Sequence, residues 1–146
     1  MACELCDGVG GELVWQDSKC RVVRVGDPDY PGFCRVVWQE HVKEMTDLAA
    51  PDRLHLMRVV FGVEAGLREL LSPDKMNLAS LGNMTPHLHW HVIPRFRGDR
   101  HFPGPIWGAP AQGAHSVTQA GGSEFTQNLR QALSRAVVQA DGSDSV

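Results

Sequence analysis

Three histidines, His87, His89 and His91, alternate with Leu88, Trp90 and Val92 in the stretch "HLHWHVIPRF". Neutral imidazoles near pH 7 can supply a nucleophile, a hydrogen-bond donor or a proton relay. In an extended strand successive side chains point to opposite faces, so the three rings share one face while Leu88, Trp90 and Val92 turn toward a core. A helix would spread the same rings over more than half its circumference, and Pro94 would interrupt it. Along a strand, same-face Cα atoms lie roughly 6.6 Å apart and the outer two of three roughly 13 Å apart. Zinc–nitrogen bonds are about 2.0–2.1 Å, so one ion holds two neighbouring rings far more easily than the whole row. The three imidazoles therefore divide their roles. Such a set suits attack on phosphorus. An imidazole nitrogen forms a phosphoramidate that hydrolyses readily, because the protonated ring leaves easily, and neighbouring donors stabilise the charge on the phosphoryl oxygens. His89, flanked on both sides, is the natural nucleophile.

The elements that must position this row are legible around it. "ELVWQD", "CRVVRV" and "FCRVVW" are β-prone runs, the last two separated by the Gly/Pro/Asp-rich loop "GDPDYPG". "MNLASLG" and "LHWHVIPRF" add two more. Between these groups, "PDRLHLMRVVFGVEAGLRELL" places Leu54, Met57, Val60, Phe61, Leu67, Leu70 and Leu71 at three- and four-residue steps. That spacing predicts an amphipathic helix with Pro51 in its first turn. His55 falls off this stripe and reads as a solvated helix residue. After Phe96 the Gly/Pro-rich stretch "RGDRHFPGPIWGAPAQGAHS" reads as an irregular surface tail pinned by Ile106 and Trp107, with His101 and His115 as bystanders. A second helix is expected over 123–140, capped by Ser123 and burying Phe125, Leu129, Leu133 and Val137. The end, "DGSDSV", should fray.

The 146 residues, 42% of them hydrophobic, suit one domain with a sizeable core. A formal charge of −3 excludes the strongly basic footprint of a nucleic-acid binder. No apolar run approaches a membrane span, and no secretory leader is visible, so a soluble cytoplasmic protein is expected. Of the four cysteines, Cys20 and Cys34 sit in apolar strands and read as reduced core residues. Cys3 and Cys6 form a C-x-x-C, which is either a metal half-site or a coincidence near a terminus.

"HLHWHVI" matches the pattern His-φ-His-φ-His-φ-φ, with φ apolar, and on it the chain resembles the histidine triad (HIT) family of nucleotide hydrolases and transferases. The likeness extends to "CELC", "DYPGFCRVVWQEHVKEMTDL" and "NLASLGN", covering residues 3 to about 97. It implies an α+β domain, 1–97, built on an antiparallel sheet of about five strands with one long helix. The tail and C-terminal helix, 98–146, would pack on that same domain. It further implies a homodimer acting on a nucleotide-type small-molecule substrate, with neither membrane nor nucleic acid as partner. His89 would attack the α-phosphate and carry the nucleotidyl group. His91 would contact the phosphate, and His87 would support the orientation of its neighbours. Asn77, Asn83 and Asp27 match positions that hold the nucleotide. No catalytic metal is required. Some members bind a structural zinc through positions that correspond to Cys3, Cys6, His41 and His87. Two features depart from the family pattern: Met84 stands where Ser or Thr is frequent, and Phe33 where many members carry histidine. Two other readings remain: a zinc-dependent hydrolase with two triad histidines as catalytic ligands, and a non-catalytic nucleotide-binding module. The first lacks an obvious carboxylate base near the triad.

Overall fold

The structure, a computed structural model, describes residues 2–116 and 121–142. Five strands form one antiparallel sheet: β1 (Glu12–Gln16), β2 (Cys20–Arg24), β3 (Cys34–Trp38), β4 (Lys75–Ala79) and β5 (His89–Arg95), in the order β1-β2-β3-β5-β4. A short turn of helix, α1 (Glu4–Asp7), precedes them. The long α2 (Ala50–Leu71) joins β3 to β4 through a 3-10 turn at Met45–Asp47, and α3 (Ser123–Gly142) closes the chain. This is the α+β architecture expected from the strand and helix patterns. No helix among the described residues is long and apolar enough to cross a membrane.

Alternation divides the sheet into two unlike faces. Val14, Cys20, Val22, Cys34, Val36, Trp38, Leu88 and Val92 point to the side covered by α2 and α3, and together they form the main core. The register pairs Val37 with His89 and Arg35 with His91, so both histidines emerge on the opposite face, beside Val23 and Ile93. Two chain segments cover that second face. Leu5 of α1 packs on Val23 and Val37, whereas Ile106 of the tail packs against Tyr30, Phe33 and Ile93. Cys20 and Cys34 are fully buried free thiols, as their strand positions imply.

The helix α2 departs from the expected stripe. Leu54 and Phe61 are 64% and 56% exposed, while Leu56, Val59, Val60, Val63 and Leu67 are buried. The cause is a second packing partner. A Cβ on Gly62 or Gly66 would come within 2.9 Å of Leu133 or Leu129 of α3. The two glycines therefore form a notch that lets the helices approach closely, and they belong to the buried arc although a count of apolar side chains passes over them. Nor is His55 a solvated residue: its Nε2 lies 2.7 Å from Asp17 Oδ2 in the β1–β2 turn. In α3, Phe125, Leu129 and Leu133 are buried and Val137 packs beside them, as the periodicity predicts. Ser123, the expected cap, is already the first helical residue. The frayed end expected at "DGSDSV" falls, from residue 143 on, outside the described residues.

Candidate active site

The three histidines have three different surroundings. His87 is fully buried, and its Nε2 lies 2.6 Å from the Trp38 carbonyl oxygen. A carbonyl only accepts, so Nε2 carries the proton and Nδ1 of the neutral ring carries a lone pair. That lone pair faces His41 Nδ1 at 3.2 Å, Cys6 Sγ at 3.4 Å and Cys3 Sγ at 3.5 Å, and Cys6 Sγ is 3.3 Å from His41 Nδ1. All four donor atoms lie within 4.8 Å of one another. Tetrahedral bonds of ordinary zinc lengths would set nitrogen–nitrogen separations near ~3.3 Å and nitrogen–sulfur separations near ~3.6 Å. The cluster thus has the donor set and spacing that could hold such an ion. Arg21 steadies the segment that carries the cysteines: its guanidinium donates to the carbonyls of Leu5, Gly8 and Val9 and to the side chain of Gln39.

His89 donates from Nδ1 to the carbonyl oxygen of His87 at 2.6 Å, which leaves its Nε2 with the lone pair. It stands edge-on to His91, ring centroids 4.9 Å apart. Burial, then the neighbouring His89 ring and the Arg35 guanidinium, pushes His91 down to about 4, so its ring is neutral at pH 7. His91 Nδ1 is shut off from solvent with no hydrogen-bond partner.

His89 and His91 open into a cleft of about 290 Å³, walled by Arg35, by Trp107 and by the β4–β5 loop from Leu81 to Thr85. That volume is at the low end for a small-molecule site. The loop turns at Gly82, whose φ of +76° suits glycine and strains other residues. Asn83 lines this cleft, as does Met84, which is 96% exposed. Glu4 reaches the rim, where its carboxylate accepts a hydrogen bond from the Thr85 hydroxyl at 3.0 Å. A second cleft, of about 380 Å³, reaches His89 from the other side of the same loop, past Lys43, Glu44 and Ser80.

The structure thus brings His89, His91 and Asn83 together, and gathers Cys3, Cys6, His41 and His87 at the neighbouring end of the row. Asn77 and Asp27 lie outside the cleft. Asn77 Oδ1 accepts a hydrogen bond from Arg95 Nη1 at 2.8 Å. Asp27 Oδ1 accepts from the Asp29 N–H within its own loop and faces a separate depression near Arg24 and Pro28. Two cleft residues escaped sequence reasoning. Arg35 is signalled only by its place: it is the one charge in "FCRVVW", on the face opposite the core positions. Trp107, expected merely to pin the tail, stands edge-on to His91 at 4.9 Å and is 50% exposed. The tail reaches it through a buried clamp. Arg95, 2% exposed, donates to both Asp99 oxygens at 2.7 and 3.0 Å and to the Gly104 carbonyl, while Asp99 also accepts the N–H groups of Phe96, His101 and Phe102. His101 is part of this arrangement, 2.6 Å from the Tyr30 hydroxyl, whereas His115 is exposed.

An antiparallel five-stranded α+β domain whose second sheet face presents His89 and His91, two of three alternating histidines, to a cleft defines a class of nucleotide-handling proteins. The HIT domain family model matches residues 9–98, and the chain belongs to that family. Among solved structures it is similar to a histidine triad protein from Bradyrhizobium japonicum, at 30% identity and a TM-score of 0.66, over 86% of this chain and 91% of that one. Histidine triad proteins from Sinorhizobium meliloti and Marinobacter aquaeolei each show 26% identity and a TM-score of 0.69. The first covers 93% of this chain and 96% of its own, the second 95% and 96%. A search of curated proteins returned no match. Membership supports, in general terms, nucleotide binding with hydrolase or transferase chemistry.

Proposed function

We propose that the protein cleaves a nucleotide conjugate by nucleotidyl transfer to His89 and then to water or another acceptor. One observation carries this reading: the hydrogen bond from His89 Nδ1–H to the His87 carbonyl, which fixes the tautomer and keeps the Nε2 lone pair available. In the first step Nε2 bonds to the α-phosphorus while the bond from phosphorus to the leaving group breaks with its electron pair. In the second step water attacks phosphorus, the bond from phosphorus to Nε2 breaks with its electron pair on the nitrogen to restore neutral His89, and the attacking water gives up a proton to solvent. His91 lines the cleft with a neutral ring whose Nδ1 is shut off from solvent, so Nε2 is the nitrogen suited to a hydrogen bond with a phosphoryl oxygen. Asn83 is suited to the same phosphate or to the ribose. Turnover of an adenosine phosphoramidate and of diadenosine polyphosphates tests the reading. His89→Asn should stay folded and lose roughly 10⁴-fold or more in kcat. Normal turnover of both substrates by His89→Asn would exclude His89 as the nucleophile.

Within the same reading, Cys3, Cys6, His41 and His87 hold a structural zinc that ties the N-terminus to the sheet, and no metal takes part in the chemistry. The donor spacing supports this, as does the placing of His87 alone of the triad within that cluster. Metal analysis of purified protein should find about one zinc per chain. We further propose that the chain pairs as a homodimer in the cytoplasm. The exposed Leu54 and Phe61 of α2 support pairing, and sedimentation equilibrium checks it.

A further inference from the structure

Three arginines project from the site-bearing face of the sheet or border it, and two of them are engaged at every nitrogen. Arg21 gives its N–H groups to three carbonyls and Gln39, and Arg95 gives its own to Asp99, Asn77 and Gly104. Arg35 differs. Its Nε is shut off from water and has no hydrogen-bond partner. Its guanidinium carbon lies 5.7 Å from the centroid of the Phe33 ring, which orients the plane without using its N–H groups. It stands directly across from His91 in the β3–β5 register, and His91 Nδ1 is the other buried side-chain atom left unpartnered among the described residues. Buried donors are ordinarily satisfied, and leaving one unmet costs about 1–3 kcal/mol. Arg35 and His91 both line the cleft, and among the described residues no protein group engages the guanidinium's N–H groups, so an anion in the cleft can complete its bonding. A guanidinium selects oxyanions, phosphate and carboxylate above all.

The charge balance of the cleft narrows the class. His91 is neutral at pH 7. The Glu4 side chain at the rim is engaged by the Thr85 hydroxyl. Arg35 is therefore the permanent cation of the cleft. A nucleotide conjugate with a single phosphoryl group carries one ionised oxygen at the reacting centre. A conjugate with a phosphoanhydride carries further charge one phosphoryl group away, and a cation on the strand neighbouring the nucleophile can meet it. Resting on the proposed nucleotidyl chemistry, we propose that Arg35 is the binding residue for a second phosphoryl group, so that the cleft takes substrates with at least two linked phosphates.

Calorimetric binding to the full-length protein tests this without turnover. The probes are AMP and α,β-methylene-ADP, and GMP and α,β-methylene-GDP, whose bridging carbon resists cleavage, so that base preference cancels in the diphosphate-to-monophosphate ratio. Wild type should bind the diphosphates more tightly. Arg35→Met should lose that preference, roughly 10- to 100-fold in Kd for the diphosphates, with monophosphate affinity nearly unchanged. Arg35→Lys should recover part of it, and both variants should keep the wild-type Tm within a few degrees. A ratio near unity in wild type, or a ratio unaltered by Arg35→Met, would overturn the assignment. So would an equal loss for mono- and diphosphates, even in a variant with a lowered Tm, if Arg35→Lys restores both alike. Failure of the nucleotidyl reading is seen separately, as the absence of a covalent adduct on His89 whatever the binding ratio.

Discussion

His87 and His91 stand at the two ends of one alternating row, His91 within β5 and His87 just before it, and their surroundings are opposite. His87 is closed in by the N-terminus. One nitrogen is bound to Trp38, and the other faces two thiols and a second imidazole. His91 is approached by the C-terminal tail, and it keeps an unpartnered nitrogen beside a cleft. Strand periodicity read from the sequence makes the two equivalent, whereas β5 begins only at His89 and different chain segments pack on each end. A repeated residue in a strand therefore shares a direction with its copies and need not share a role.

Substituting each end separately gives the largest contrast. His91→Ala should reduce kcat/KM roughly 100- to 1000-fold, the scale of losing one oriented donor to a phosphoryl oxygen, with little change in Tm. His87→Ala should instead abolish the zinc binding proposed for that cluster and lower Tm by about 10 °C. Chelation of wild type should likewise lower Tm, and chelation of His87→Ala should do nothing further. Equal Tm losses for both variants would dissolve the distinction.

The flank on the His91 side depends on the Arg95–Asp99 clamp. Asp99→Asn leaves a buried guanidinium without its anion and should cost about 3–5 kcal/mol, read by denaturant titration. The same clamp sets an acid limit. Burial alone would raise the Asp99 carboxyl. The Arg95 guanidinium and the backbone N–H groups of Phe96, His101 and Phe102 outweigh it and hold the group at about 2. The unfolded chain takes up this proton first, near the ordinary value of about 3.9. The contribution, on the order of 2 kcal/mol, is therefore complete above about pH 4 and is lost as pH falls toward about 2. Stability measured from pH 5 to 2 should fall more steeply in wild type than in Asp99→Asn.

Trp107→Ala tests whether the tail serves the cleft or only covers the sheet. Half exposed, the ring should contribute little to Tm, yet its loss should weaken nucleotide binding roughly tenfold if a base or leaving group stacks there. A change at neither end of the row supplies the control. Gly62→Ala forces a methyl group toward Leu133 and should cost about 1–3 kcal/mol of stability, with metal content and kcat both unchanged.

Alternation and period read directly from the chain locate all five strands, both long helices, the shared face of His89 and His91 and the buried thiols Cys20 and Cys34, whereas β5 begins only after His87. Those features depend on local patterns, which a sequence displays. Gly62 and Gly66 were passed over because a close helix contact is made by absence of a side chain. His55 was misjudged because its partner Asp17 lies 38 residues away on another element. Arg35 and Trp107 became cleft residues only through pairing with β5 and through a tail folded back by Asp99, neither of which has a periodic signature. The four candidate metal ligands span residues 3 to 87, and their convergence is likewise a property of the fold.

The central claim is a covalent one, and intact-protein mass spectrometry of rapidly quenched turnover reads it most directly. With a diadenosine polyphosphate as substrate, quenched wild type should carry one added adenylyl mass that fragmentation locates on His89. His89→Asn should carry none, although it still binds nucleotide. Turnover in wild type with no adduct at any quench time, or an adduct that persists on His89→Asn, would contradict it.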